Sequence, residues 1–183
     1  MTAELLEEVT EDHLQRLLDE TGGEYIDGEV VEKPMGAESE YIGSRLLTFL
    51  FSFVDDHNLG RVFGSQTGYR CFPNERKRIR KPDVSFIAAT RPESAELPQG
   101  DWTIAPDLAI EIISPHDKYI EVEEKVVDYR LAGVKLIWIV NPATKSVVIR
   151  RLDRTCAEID GDATLEGEAV VPGFTLALSR LFV

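Results

Sequence analysis

The chain has 183 residues, 43% of them hydrophobic, enough for one core-bearing domain, and no apolar run approaches the roughly 18 residues a membrane-spanning helix needs. Its two cysteines (Cys71, Cys156) and three histidines are scattered, which excludes a disulfide framework and a Cys/His metal site; the acidic start, Met1-Thr2-Ala3-Glu4, argues against a secretory signal, and a reduced cytoplasmic setting fits. A formal charge of −13 disfavours general attraction to polyanions, but residues 1–32 alone hold eleven acids against one base, while Arg76, Lys77, Arg78, Arg80 and Lys81 place five positive charges in six positions.

Residues 3–20 have apolar positions at helical spacing between acids, so 1–21 is read as an acidic N-terminal helix stopped by Gly22-Gly23. Residues 25–31 predict a β-hairpin turning at Asp27-Gly28. A second helix is expected over 38–56, with Tyr41, Ile42, Leu46, Leu47, Leu50, Phe51 and Val54 as its apolar side. Residues 61–64 and 68–72 are expected to be short strands paired with each other. The basic segment follows, then a strand over 83–88 and an irregular excursion over 89–105. Residues 107–113 predict a buried strand, 118–132 a helix ended by Gly133, and 135–140 a third buried strand with 147–151 as hairpin partner. Short strands are expected near 155–159 and 168–171. Neither an internal repeat nor an interdomain linker interrupts the pattern, so 1–183 is expected to be a single domain.

The most informative residue is Glu111, which interrupts the run Leu108-Ala109-Ile110-Glu111-Ile112-Ile113. A carboxylate at the centre of a buried strand loses its hydration and must be paired, protonated or bound to a cation. Asp83 stands at the mouth of another apolar strand, after Lys81-Pro82. Alternation puts Asp107, Ala109, Glu111 and Ile113 on one face of their strand. If the two strands are neighbours, Asp83 and Glu111 converge, and hard oxygen ligands of that kind suit Mg²⁺ or Mn²⁺. The carbonyl of Ile112 is a possible further ligand.

At ~100° per residue, Lys125 falls on the flank of the helix stripe formed by Val122, Val126 and Tyr129. From there it can reach back over the strand end and orient an attacking water or stabilise charge on a scissile phosphate. Glu121, Glu123 and Glu124 are read as solvent-facing. A purely structural Glu111–Lys125 ion pair remains an alternative, as does a strand-start role for Asp83. Asp107 is a possible accessory acid and His116 a loop residue. A serine-hydrolase elbow, a phosphate-binding glycine loop and a dinucleotide fingerprint are all missing.

Four stretches taken together resemble the Uma2 family of the restriction-endonuclease-like PD-(D/E)XK nuclease superfamily. They are Pro82-Asp83-Val84, the run from Pro106 to Pro115, the run from Lys125 to Val134, and Trp138-Ile139-Val140-Asn141-Pro142. The hairpin from Glu24 to Glu32 is also similar to the family's opening. The resemblance covers about residues 22–152 and implies an α/β fold with a central mixed sheet flanked by helices. It implies Asp83 and Glu111 as metal ligands. The superfamily's motif lysine would fall at Ile113, and the family pattern moves it to the next helix, matching Lys125. Where family members often carry a histidine near the start of the second helix, this chain has Ser39-Glu40, and Glu40 is a possible accessory acid.

The first functional reading is therefore a Mg²⁺- or Mn²⁺-dependent DNA endonuclease with Asp83, Glu111 and Lys125 as its catalytic residues. Arg76, Lys77, Arg78, Arg80 and Lys81 would contact the backbone of duplex DNA, and cutting two strands makes a homodimer plausible. A competing reading is a catalytically silent nuclease-fold module that binds DNA or protein, with the acidic helix repelling DNA or shielding the basic segment. A third is a phosphodiesterase acting on small nucleotides. No membrane partner is expected.

Overall fold

The computed structural model describes residues 10–32, 36–72 and 78–182. Helix α1 (Glu11–Thr21) begins after Thr10, whose hydroxyl accepts the His13 N–H, and ends at Gly22 in the left-handed region (φ 65°). The expected onset near residue 3 lies outside the described residues. Leu14 and Leu18 are buried against Tyr25 and Ile79, so the acidic helix packs on the basic segment's own apolar residue.

Strands β1 (Glu24–Ile26) and β2 (Glu29–Val31) form the expected hairpin. Its turn puts both Asp27 and Gly28 at positive φ, the geometry Asp-Gly readily adopts. Helix α2 (Ala37–Asp56) buries Ile42, Leu46, Leu50 and Val54 at helical spacing. Each such side chain contributes about 1.5–3 kcal/mol on burial. Tyr41 and Phe51, expected on that side, are exposed because only one stripe of the helix meets the sheet.

The main sheet has six strands in the order β3 (Gly60–Gly64), β4 (Val84–Ala88), β5 (Leu108–Ile112), β6 (Leu136–Asn141), β7 (Ser146–Arg151) and β8 (Cys156–Ile159). All neighbours are antiparallel except β5 and β6, which are parallel and joined by α3 (Tyr119–Leu131). A parallel pair needs such a crossover, which is why a helix must follow β5.

Residues 68–72 do not pair with β3. Tyr69 makes single bridges to Arg80 and Trp102 instead, and β3 takes β4 as its partner. Residues 168–171 form turns. The small second hairpin uses β9 (Thr164–Glu166) and β10 (Thr175–Ala177), followed by the short helix α4 (Leu178–Leu181).

Alternation gives the sheet two different faces. Val84, Phe86, Leu108, Ile110, Ile112 and Trp138 join α2 and the C-terminal hairpin in a large apolar core. Ala109, Ile137 and Ile139 face α3 and meet Val126 and Tyr129. Gly43 lets α2 approach the end of β5 closely: a Cβ there would lie 3.1 Å from Ile112 Cδ1. Ser39 Oγ pins the same helix end by donating to the Ile113 carbonyl (3.0 Å).

Candidate active site

Glu111 is only 4% exposed, near the end of β5, on the α3 face. Its carboxylate is held from α3 by two residues one helical turn apart. Lys125 Nζ donates to Oε2 at 2.9 Å, and the Tyr129 hydroxyl donates to Oε1 at 2.5 Å. Burial raises the Tyr129 phenol well above its ordinary pKa, and the charges of Glu111 and Glu24 raise it further, so it stays a donor.

Asp83 lies immediately before β4 and continues its register with β5, its N–H donating to the Ile110 carbonyl (2.9 Å). Its Oδ2 accepts the Ile112 N–H at 2.6 Å. That amide belongs to the peptide unit just after Glu111, so one rigid plane links the two acids. They open on different hollows. Glu111 and Lys125 line a cleft of about 420 Å³ together with Glu24, His116 and Glu121. Asp83 lines a hollow of about 250 Å³ with Glu40 of α2 and Gln66 and Thr67.

A third acid comes from the N-terminal hairpin. Glu24 is 3% exposed, and its Oε2 lies 3.8 Å from Lys125 Nζ, so the ammonium stands between two carboxylates. Arg80 NH1 donates to Glu24 Oε2 (3.0 Å), and the Lys81 N–H donates to Oε1 (2.8 Å). Arg80 also grips Asp128 of α3 through Nε (2.7 Å), and Arg78 joins Asp128 to Asp27 at the hairpin turn. Burial opposes the charge on Arg80, but Glu24 and Asp128 outweigh it and hold its pKa above the ordinary value.

The chain matches the Uma2 family model, described as "Putative restriction endonuclease", over residues 11–179. The chain belongs to the Uma2 family. A solved structure described as "a putative nuclease belonging to DUF820 from Anabaena variabilis ATCC 29413" superposes with a TM-score of 0.76, at 24% identity, over 89% of this chain and 90% of that one. At that identity the likeness concerns the fold, a mixed sheet flanked by helices, as the family resemblance implies. None of the curated proteins compared with the chain matches it.

Within this Uma2 chain the expected reach of Lys125 to Glu111 is present. The basic segment is placed otherwise than expected. Arg76 and Lys77 lie outside the described residues. Arg80 (2% exposed) and Lys81 (3%) are interior, not phosphate-facing. Lys81 Nζ donates to the Leu18 carbonyl at the C-terminal end of α1, a favourable place for a cation, and burial lowers its pKa. Arg78 is committed to two carboxylates. These charges tie α1, the hairpin and α3 together, because a carbonyl of α1 and acids of the hairpin and α3 converge on them.

Asp107 likewise has another role. It precedes β5, about 13 Å along the strand from Glu111 at ~3.3 Å per residue. There it accepts the Ala88 N–H and pairs with Lys135 (2.8 Å). Glu40 is exposed and shares the hollow of Asp83, not the cleft of Glu111. Glu121 and Glu124 are exposed, as expected, and also line the cleft, whereas Glu123 is half-buried and accepts from Arg150 (2.8 Å). Glu24, Asp128 and Tyr129 are the residues the sequence reading leaves out of the site. Tyr129 carries a signal, since it sits four residues after Lys125 on the inward stripe. Glu24 carries none beyond its place in the family-like hairpin, because only the tertiary fold brings β1 to the end of β5.

Restriction-endonuclease-like nucleases generally use divalent metals. Among the described residues no three His, Cys, Asp or Glu side chains form a group able to hold a metal ion. Asp83 and Glu111 lie on paired strands but open on different hollows rather than on the one point expected; each is a hard carboxylate donor of the type that suits Mg²⁺. That ion commonly takes one or two protein carboxylates and completes its shell with water and substrate phosphate. No helix of the described residues is long and apolar enough to cross a membrane.

Proposed function

We propose that this Uma2 protein is a Mg²⁺- or Mn²⁺-dependent endonuclease acting on duplex DNA. The observation that carries the reading is the Glu111–Lys125–Tyr129 cluster at the end of β5, with Asp83 hydrogen-bonded to the next peptide unit. Asp83 and Glu111 are the residues to hold the metal, which when bound activates water and neutralises phosphate charge. Tyr129 fixes the Glu111 carboxylate so that it need not reorganise. Lys125 supplies positive charge beside the scissile phosphate. Cutting both strands calls for two such sites, so a homodimer belongs to the same proposal.

The test is cleavage of supercoiled and linear DNA with Mg²⁺ or Mn²⁺, comparing wild type with Glu111→Gln, Asp83→Asn and Lys125→Ala. The expected result is cleavage by wild type, loss in both acid variants with the fold retained, and a roughly 10²–10³-fold slower rate for Lys125→Ala. An inactive wild type over the whole metal range favours the second reading, a silent nuclease-fold module. That reading has its own support: Glu32, Asp117, Glu121 and Glu124 ring the cleft with negative charge, which opposes a polyanion.

A further inference from the structure

Lys125 is within ion-pair distance of two carboxylates that come from distant parts of the sequence. Glu111 is at 2.9 Å and Glu24 at 3.8 Å. Glu24 is not a casual surface neighbour. It is interior, and both of its oxygens are anchored, Oε1 by the Lys81 N–H and Oε2 by Arg80. Arg80 is in turn anchored by Asp128, one residue before Tyr129. The Glu24 carboxylate is therefore held at a set distance from Lys125 by groups that do not depend on Lys125.

The chemistry of Glu111 gives this arrangement a purpose. An ammonium at 2.9 Å occupies one carboxylate oxygen and repels any second cation brought to it. A cation can bind Glu111 readily only if Lys125 has another anion to lean on. Glu24 is that anion, and it stands on the cleft wall beside Glu111.

We propose that Glu24 is a positioning residue of the site. It shares the Lys125 ammonium with Glu111 and so leaves Glu111 able to accept a divalent cation. The inference rests on the metal reading of Glu111 given above. Arg80 and Asp128 act one step further out, by fixing where Glu24 stands.

The experiment is a double-mutant cycle on the full chain with wild type, Glu24→Gln, Lys125→Met and the double variant. Mn²⁺ binding is measured by calorimetry and unfolding by urea. Glu24→Gln is expected to weaken Mn²⁺ binding about tenfold, because Lys125 then leans wholly on Glu111. Lys125→Met should tighten binding, and in that background Glu24→Gln should change the Mn²⁺ Kd less than about twofold. A merely structural Glu24 would lower stability and leave Mn²⁺ affinity alone. A purely long-range effect of its charge would weaken binding equally in both backgrounds. Either result overturns the proposal.

Glu24→Asp guards against a Glu24→Gln variant that fails to fold. It keeps the charge but withdraws it from Lys125, and it should reproduce the Mn²⁺ defect. A wild type that binds no Mn²⁺ overturns the metal reading instead. The urea cycle then decides the sharing of Lys125 by itself: non-additivity of about threefold or more in the unfolding constant upholds it, and additivity overturns it.

Discussion

Toward α2 the main sheet presents Val84, Phe86, Ile110, Ile112 and Trp138, and the layer between is made of hydrocarbon and aromatic rings. Toward α3 the same strands present Ala109, Glu111, Ile137 and Ile139, and the layer admits buried charge from Glu111, Glu24, Arg80 and Asp128. Both faces belong to β5, because successive side chains of a strand point opposite ways. The first face is tolerant: any well-packed set of apolar residues serves it. The second is not, since each buried charge there depends on a named partner. Apolar packing and buried charge are thus separated by the thickness of one sheet.

The largest effect should come from breaking the charged face at its centre. Arg80→Ala removes the buried guanidinium that Glu24 and Asp128 share, leaving them only Lys125 and Arg78, and should cost about 3–5 kcal/mol, read from urea unfolding. Leu50→Ala on the apolar face opens a cavity and should cost about 2–5 kcal/mol. Metal binding and cleavage per folded molecule should stay at the wild-type level, and a matching loss of either would erase the contrast between the faces. Tyr129→Phe removes the donor to Glu111 Oε1 and should cost about 1–3 kcal/mol. Unlike Leu50→Ala, it should also weaken Mn²⁺ binding, because the carboxylate it steadied is the proposed ligand.

The effect that vanishes at neutral pH is an alkaline one. Burial pushes the Cys71 thiol up to about 12 from an ordinary 9.0, and burial also raises the Tyr69 phenol. The folded chain therefore holds these protons more tightly than the unfolded chain does. Their contribution is complete below pH 9 and is lost as pH climbs toward 12. Urea midpoints taken across that range should fall, and Cys71→Ala should flatten part of the decline. An unchanged slope in Cys71→Ala would remove Cys71 as a cause.

Much of this was legible in the chain. The alternation around Glu111, the helix stop at Gly133 and the Asp27-Gly28 turn are local signals, and each predicts the element found there. Lys125 was legible too, because the helical period of residues 118–132 puts it on the flank of the inward stripe. The basic segment misled, since five clustered charges read as a solvated, anion-binding stretch. Arg80 and Lys81 are interior only because acids and a carbonyl from distant elements reach them. Residues 68–72 misled for a similar reason: strand propensity does not choose a partner, and β4 displaces them from β3.

What the sequence by itself determined is the set of local periods and the one anomaly within them: a carboxylate in a buried strand, with a lysine on the helix that must come next. Only the tertiary structure decided how that carboxylate is neutralised. Backbone periodicity acts over a few residues. Desolvated charge, however, must be matched by whatever the fold brings within about 4 Å. Here the fold brought the Lys125 ammonium and the Tyr129 hydroxyl onto Glu111, and set Glu24, with Arg80 behind it, on the other side of Lys125, from elements that no local pattern connects to β5.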